Sequence, residues 1–305
     1  MNTAQVTIRK ILASDREDVL EIVRQIWGGQ GYLPSVFDEW LRDPRCHTFG
    51  VEADSRIVAV GNLRLVERGK TGWMEGLRVH PEYRKKGFAR MLTNHLVSLG
   101  DSLGVQRLRY TTGSNNRASL KLAKEAGFAR ILKMRIYWYQ NIKAPKGSKL
   151  TRPPLKEFAP KAAYNSSRSN PALIPRNVLV YDWKALDSTL QAFTEIGKTH
   201  SIYASERKMK LESLSFGYKR LGSDYKSWNF TLYASNPKSF LSQFLNHATT
   251  ASDNGLTSMA FTFKPKFQEA LQTSKLAPKP AYKLHVILLE KTLERNTNQE
   301  KAKHR

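Results

Sequence analysis

At 305 residues, 40% hydrophobic and 25% charged, the chain exceeds the roughly 100 to 200 residues of a typical single core, so two globular domains are expected. Its start, Met1 to Val6, runs straight into a strand-like pattern rather than a secretory leader, no apolar run approaches the roughly 20 residues a bilayer demands, and Cys46 is the sole cysteine. An intramolecular disulfide and a multi-cysteine zinc site are thereby excluded, and a soluble, cytoplasmic protein without a metal is expected. The net charge of +24 could attract a polyanion or an anionic cofactor. It is spread along the chain, with 23 basic and 14 acidic residues up to position 142 and 27 and 12 beyond. No zinc finger or aromatic-basic RNA motif organises it, so a nucleic-acid partner is the less favoured reading.

Gln5 to Arg9 alternates like a strand, and Ser14 to Trp27 carries Val19, Leu20, Ile22, Val23 and Ile26 at helical spacing. Ser14 with Glu17 is the pattern of a capping box. Gly28-Gly29-Gln30-Gly31 ends that helix, and Pro34 to Leu41 reads as a short second one. Two strands follow, Thr48 to Glu52 and Ile57 to Val66, turning at Asp54-Ser55-Arg56. A third, Gly72 to Val79, leads through a glycine-containing loop into an amphipathic helix ending near Leu103. Strand Val105 to Thr112, helix Asn116 to Ala126 and strand Ala129 to Tyr139 close the domain, assigned to 1–142.

Residues 143–176, with Pro145, Pro153, Pro154, Pro160, Pro171 and Pro175, are read as a linker or extended strap. In a second domain, 177–292, Trp228 to Leu232 reads as strand, Ser239 to Thr250 as helix, Leu256 to Phe263 as strand, Lys266 to Thr273 as helix and Tyr282 to Glu290 as strand. This repeats the order of the first domain's second half, which points to an internal structural repeat; an unrelated α+β domain is the alternative. Residues 293–305 form a polar tail. The class is α/β (α+β), a mixed central sheet flanked by helices.

Binding a pyrophosphate takes several backbone N–H groups converging at a helix N-terminus, where the macrodipole also favours negative charge. The strand Met74 to Val79, the turn His80-Pro81-Glu82-Tyr83 and the segment Arg84-Lys85-Lys86-Gly87-Phe88-Ala89-Arg90 have this form. Gly87 permits close backbone approach, Ala89 is small, and Arg84, Lys85, Lys86 and Arg90 add positive charge. In the second domain Ser235-Asn236-Pro237-Lys238 stands at the equivalent place, and its proline removes an amide donor, so no cofactor is expected there.

The stretch Gly76 to Ala89 resembles the acetyl-CoA signature of the GNAT superfamily, Gln/Arg-x-x-Gly-x-Gly/Ala after a strand ending in Val-x-Pro. Asn115-Asn116-Arg117-Ala118-Ser119 with Glu125-Ala126-Gly127-Phe128 is similar to the superfamily's second signature. The resemblance implies the GNAT acyl-CoA N-acyltransferase fold, acetyl-CoA as co-substrate, and a second, degenerate GNAT-like domain. Cofactor contacts are then expected from Leu77, Arg78, Val79, Arg84, Lys85, Lys86, Gly87, Phe88, Ala89, Arg90 and Asn116. Ile26 to Ser35, Trp40 to Pro44, Met74 to Val79, Val180 to Trp183 and Phe240 to Leu245 further resemble the vertebrate histidine N-acetyltransferase family, which implies a small-molecule amine as acceptor.

In that superfamily the backbone of the fourth strand polarises the thioester carbonyl, and Leu77 and Val79 match those positions. The amine must lose a proton to attack. Glu75 lies two residues before Leu77, so strand alternation places both side chains on one face. Glu75 is accordingly the expected base or relay-water anchor, with a salt-bridged or acceptor-binding role as the alternative. The superfamily's usual tyrosine acid falls at Ala123, leaving Tyr110, Tyr137 or solvent as proton source, although Tyr137 and Tyr139 equally suit strand packing. His80 and His95, in a turn and a helix, carry no assigned role. Tyr32, Asp38 and Trp40 are the candidate acceptor-binding residues, Asp38 as partner of an ammonium group and the aromatics as its walls; an aromatic-rich helix corner is the alternative. Three functions stand open: acetylation of the α-amine of a free amino acid such as histidine, acetylation of a protein or peptide docked by the basic second domain, and a non-catalytic CoA- or nucleic-acid-binding module. Oligomeric state is unreadable.

Overall fold

The computed structural model describes residues 6–26, 31–140, 155–221, 226–256 and 258–294. Gly28-Gly29-Gln30, Pro145, Pro153, Pro154 and the tail from Asn296 to Arg305 lie outside the described residues. In chain order the elements are β1 (Thr7–Lys10), α1 (Arg16–Arg24), α2 (Leu33–Arg42), β2 (Cys46–Ala53), β3 (Arg56–Val66), β4 (Thr71–Val79), α3 (Phe88–Ser102), β5 (Arg107–Gly113), α4 (Arg117–Glu125) and β6 (Ala129–Tyr139). There follow β7 (Lys156–Glu157), α5 (Pro160–Ser167), β8 (Val178–Tyr181), β9 (Lys184–Asp187), α6 (Leu190–Gly197), β10 (Ser201–Arg207), β11 (Lys210–Leu221), β12 (Lys226–Ala234), α7 (Pro237–Asp253), β13 (Ser258–Phe263), α8 (Gln268–Thr273) and β14 (Tyr282–Thr292).

Two compact units result. The first comprises the described residues through Tyr110, Arg117–Ala129, and those from Leu289 onward; the second comprises Thr111–Asn116 and Arg130–Leu288. In the first unit β1, β2, β3 and β4 are antiparallel neighbours in that order, and β5 joins β4 in parallel. Alternation along β3 sends Val60 into a cluster with Val19, Ile22, Leu33, Phe37 and Trp40 of α1 and α2, while Gly61 faces Leu92 and Leu96 of α3. Helices thus cover both faces of a mixed sheet.

Strand β6, which the sequence places last in the first domain, belongs from Arg130 onward to the second unit and pairs with β13. The first unit is completed instead by the end of β14, where the Leu293 amide donates to the Gln106 carbonyl at 3.0 Å. Arg109, only 3% exposed, donates to Glu290 at 2.6 Å. A guanidinium so deeply buried requires such a carboxylate.

The second unit repeats the plan: β7, β10, β11 and β12 are antiparallel, β13 joins β12 in parallel, and β6 flanks β13. One sheet face holds an aromatic core of Tyr137, Tyr139, Phe230, Phe244, Phe261 and Phe263 beneath α7. Opposite lie α5, α6 and the β8–β9 hairpin, anchored by the Tyr233 hydroxyl, which donates to the Val180 carbonyl at 3.0 Å and accepts from its amide at 2.7 Å. Within this core His247 accepts from the Trp228 indole at 3.0 Å, which leaves its Nε2 to donate to Ser215 at 2.8 Å.

Two local expectations change. The Ser14–Glu17 capping box is absent: a 3-10 turn, Ala13–Asp15, precedes α1, and Asp15, clamped by Arg9, accepts the Leu12 amide at 2.7 Å. Within the proline-rich stretch, Pro160–Ser167 is helical because Pro160 occupies the first helical position, where its missing N–H costs nothing. Strands β8 to β11 and helix α6 had no prediction at all.

Glu290→Ala should lower the stability of the first unit by about 2 kcal/mol, because Arg109 loses its shortest ion pair; a urea midpoint unchanged from wild type would contradict this. A second prediction concerns pH. Complete burial pushes the His247 imidazole down to about 3 from its ordinary 6.5. The unfolded chain therefore takes up a proton below pH 6.5 that the folded chain refuses, so stability is full above 6.5 and is lost as pH falls toward 3. Urea midpoints of the second unit should fall steadily between pH 7 and 4.5, with the His247 ring resonances untitrated over that range.

Candidate active site

The site in the first unit begins with a break in β4. Pairing with β3 runs Asn62↔Glu75 and then Val60↔Arg78, so Gly76 and Leu77 stand opposite the single residue Gly61. Gly76 adopts φ +75°, and a Cβ there would lie 2.3 Å from the Trp40 ring. Glycine is required on both counts. On the other edge, β4 pairs with β5 only from Thr71 to Trp73. Beyond Trp73 the β5-facing backbone groups of β4 have no pairing with that strand.

This bulge corrects the expected alternation. Glu75 and Leu77 do not share a face: Glu75 lies with Asn62, Val60 and Arg78, whereas Leu77, 37% exposed, lies on the α3 side near Gly61. Arg78 moves with Glu75. It is buried, its guanidinium sits 5.0 Å from the Tyr32 ring centroid, and Nη1 donates to the Gly76 carbonyl at 3.2 Å. Val79 pairs with Ala59.

The Glu75 carboxylate is held by two residues that the sequence reading did not single out. Asn62 donates to Oε1 at 3.0 Å and accepts from the Thr48 hydroxyl at 3.0 Å, which fixes its amide orientation. Arg64 donates to the same Oε1 at 3.1 Å and is further paired with Asp43 at 3.2 Å and Glu39 at 3.0 Å. Desolvation acts against the Arg64 charge, but these carboxylates outweigh it and keep the guanidinium ionised. Among the described residues Oε2 of Glu75 accepts no hydrogen bond. The signal for Asn62 was present, as a lone amide in the middle of the apolar run Ile57 to Val66.

The aromatic candidates divide. Trp40 is 2% exposed and packs on Gly76. Tyr32, 42% exposed, meets it edge-on at 6.3 Å. Desolvation, reinforced by the Glu75 charge, pushes the Tyr32 hydroxyl up to about 12, so it stays protonated. Asp38 lies on the outer face of α2, bonded to Arg16 at 2.8 Å, and does not join Tyr32. The ammonium-pairing role expected of it is not supported by that position.

Past β4, Lys85 at φ +64° and Gly87 at φ +88° turn the chain into α3. Gly87 is the N-cap, and among the described residues no side chain caps the helix. The first N–H groups of α3 are therefore open, at the positive end of a 15-residue helix. Arg84 and Lys86 stay beside this loop, Lys86 with its ammonium 4.6 Å from the Tyr83 ring centroid. Phe88 is buried and stacks on Tyr83, while Ala89 follows in the first helical turn. Arg90 is committed to Glu125 at 2.9 Å. Asn116, in the second unit, bonds through its amide to the Gly113 carbonyl.

Of the proton donors, Tyr110 is half-buried and donates to the Ser119 carbonyl at 3.3 Å, and burial raises its hydroxyl above the ordinary value. Tyr137 lies in the aromatic core of the second unit, 1% exposed against Phe261 and Phe263, as a packing residue. Ala123 is buried and offers no proton. No described helix is long and apolar enough to cross a membrane, and the described residues hold no His/Cys/Asp/Glu group that could bind a metal.

The site thus combines an open helix start after a bulged strand with a half-buried carboxylate on the strand's opposite face. Residues 14–128 match the model of the acetyltransferase (GNAT) family. The chain is similar to probable N-acetyltransferase 16 of Homo sapiens, 38% identical over 84 residues, and to histidine N-acetyltransferase of Oreochromis niloticus, 29% identical over 85. These matches cover 27% and 28% of this chain but only 23% and 25% of those proteins. Among solved structures, a GCN5-related N-acetyltransferase from Sphaerobacter thermophilus has a TM-score of 0.59 at 12% identity, covering 94% of this chain and 95% of that one. A glucosamine N-acetyltransferase region of a fungal multi-domain β-N-acetylglucosaminidase has 0.65 at 12%, covering 94% and 38%. Both likenesses concern the fold.

Gly76→Ala should destabilise the first unit by roughly 2 to 4 kcal/mol, since it combines a left-handed backbone with a collision against Trp40. Chemical denaturation reads this directly; a loss under 1 kcal/mol would mean that β4 and Trp40 relax freely.

Proposed function

We propose that this chain transfers the acetyl group of acetyl-CoA to the primary amine of a small molecule, an α-amino acid such as histidine being the acceptor. The observation that carries the reading is the uncapped, glycine-led start of α3 directly after bulged β4. Its open N–H groups, with Arg84, Lys85 and Lys86, fit a pyrophosphate, and acetyl-CoA supplies the thioester. The unpaired edge of β4 from Met74 to Val79 offers backbone groups along which an extended pantetheine arm can lie.

On the other face, Glu75 and Arg78 present opposite charges beside Tyr32, a pattern that suits the ammonium and carboxylate of an amino acid. Glu75 Oε2 is open to take a proton from the ammonium, directly or through water, while Arg64 and Asn62 fix the carboxylate by its other oxygen. The freed amine attacks the thioester carbonyl, the N–C bond forms, the C–S bond breaks, the nitrogen gives its second proton to solvent, and the CoA thiolate takes a proton from solvent or from Tyr110. The histidine N-acetyltransferases among the relatives support the choice of acceptor.

Purified protein incubated with acetyl-CoA and a panel of amino acids should release free CoA only when an acceptor is present, with the N-acetyl product visible by mass. Bound acetyl-CoA without acceptor-dependent release would sink the reading. Glu75→Gln should lower turnover by about 10²- to 10⁴-fold, the usual contribution of a general base, and leave acetyl-CoA affinity nearly unchanged.

A further inference from the structure

The second unit contains a small cavity of about 60 Å³ on the sheet face opposite its aromatic core, room for roughly four to six water-sized groups at about 10 to 15 Å³ each. Its walls come entirely from that unit. The repeat offers no cofactor cradle: α7 is capped by Asn236, whose side chain accepts the Ser239 amide at 2.9 Å, and β12 pairs with β13 through all of Ser227 to Leu232. The acetyl transfer proposed above uses none of this cavity's polar lining.

That lining is organised. Asp182 stands at the tip of the β8–β9 hairpin, where Asp182 and Trp183 both have positive φ, 38° and 65°. Trp183 is not a residue that such a turn favours, and the hairpin tip is held by the Thr111 hydroxyl donating to the Trp183 carbonyl. Asn229 donates to the Tyr218 hydroxyl at 3.2 Å, and Tyr218 donates to Asp182 Oδ1 at 2.5 Å. Oδ2 accepts no hydrogen bond among the described residues. Trp138 stacks on Trp183 with centroids 6.4 Å apart, which gives the cavity an aromatic wall. Arg220, two residues beyond Tyr218 on the same face of β11, brings a guanidinium into the lining. His200, 9% exposed, also lines it; Nδ1 is bonded to Thr199 at 2.8 Å, and the buried Nε2 has no hydrogen-bond partner among the described residues. Such an orphan costs free energy unless something reaches it. Burial, with Lys184 nearby, pushes this imidazole down to about 4, so it is neutral at physiological pH.

We infer that this cavity is a second ligand site, which binds a free α-amino acid as a zwitterion. Asp182 Oδ2 and the Trp138–Trp183 wall take the ammonium group, by charge and cation–π contact, and Arg220 takes the carboxylate. His200 Nε2 is left to meet a polar atom of the side chain. The chemistry excludes N-acetylated amino acids, which have no ammonium, and disfavours carboxamides, which have no carboxylate. The site would let the second unit sense unmodified amino acid and ignore acetylated product.

Equilibrium dialysis of the full chain against individual radiolabelled L-amino acids, without acetyl-CoA, tests this. At least one amino acid should bind wild type, and Asp182→Asn and Arg220→Gln should each weaken that binding by at least about tenfold, as expected for removing one member of a buried charge contact. Glu75→Gln should leave this component in place. On the wild-type protein itself, the N-acetyl and carboxamide forms of the same amino acid should compete at least about tenfold more weakly, a readout that does not depend on any variant folding. No amino acid bound, or equal competition by the N-acetyl form, overturns the second site. Binding lost in Glu75→Gln but kept in Asp182→Asn also overturns it, and places all recognition at the acetyl-transfer site, whose proposed function would still stand.

Discussion

Everything at the candidate active site depends on one contact, the Trp40 ring against the backbone of Gly76. No side chain fits between them, so β4 takes a left-handed residue at that point, and two of its residues come to face one of β3. The consequences are local and chemical. Glu75 and Arg78 come to one face beside Tyr32, Leu77 goes to the other, and β4 leaves β5 after three paired residues. An ordinary sheet strand has both edges satisfied; this one keeps an open edge leading to an open helix start. Acidic residues Glu39, Asp43 and Glu75 then converge on Arg64, so the carboxylate nearest the break is oriented by charge as well as by the Asn62 amide.

The two units share one plan with different outcomes at equivalent places. In the first, the helix after the bulged strand begins at Gly87 without a capping side chain; in the second, Asn236 caps α7 and Pro237 follows. In the first, the parallel pair separates; in the second, it stays paired over six residues. The second unit spends its polar residues elsewhere, on the Asn229–Tyr218–Asp182 chain and on His200. Each unit also takes its last strand from a distant part of the chain, β6 in the second and the end of β14 in the first, so that Arg109 finds Glu290 181 positions away.

Much of this plan was legible in the sequence. Strand and helix periods located β1 to β6, α1 to α4, and the series from β12 to β14, because long periodic runs carry the strongest signal. The turn into a helix at Gly87 was legible from its glycine and basic neighbours after a strand, and α3 starts there. What failed has physical causes. Alternation cannot anticipate a bulge, so Leu77 was assigned to the face of Glu75; Gly76 marked the spot, since an isolated glycine in a strand often signals one. Asp38 looked suited to an ammonium, but its helix turns it outward to Arg16. Tyr137 looked like an acid, but it is core, as its alternation with Tyr139 allowed. The short strands β8 and β9 and the partners of β6 and β14 depend on long-range pairing, which no local pattern encodes. Asp182, Tyr218 and His200 are 36 residues or fewer apart in sequence, yet only the hairpin brings them to one cavity.

The central claim, that the open edge of β4 and the start of α3 form a single acetyl-CoA site, is tested most directly by amide hydrogen exchange with and without CoA. Protection should appear together at Met74–Val79 and Lys85–Arg90, with the start of α7, from Lys238 to Phe240, unchanged. Protection absent from both first-unit segments at saturating CoA, or found at α7 instead, would contradict the account.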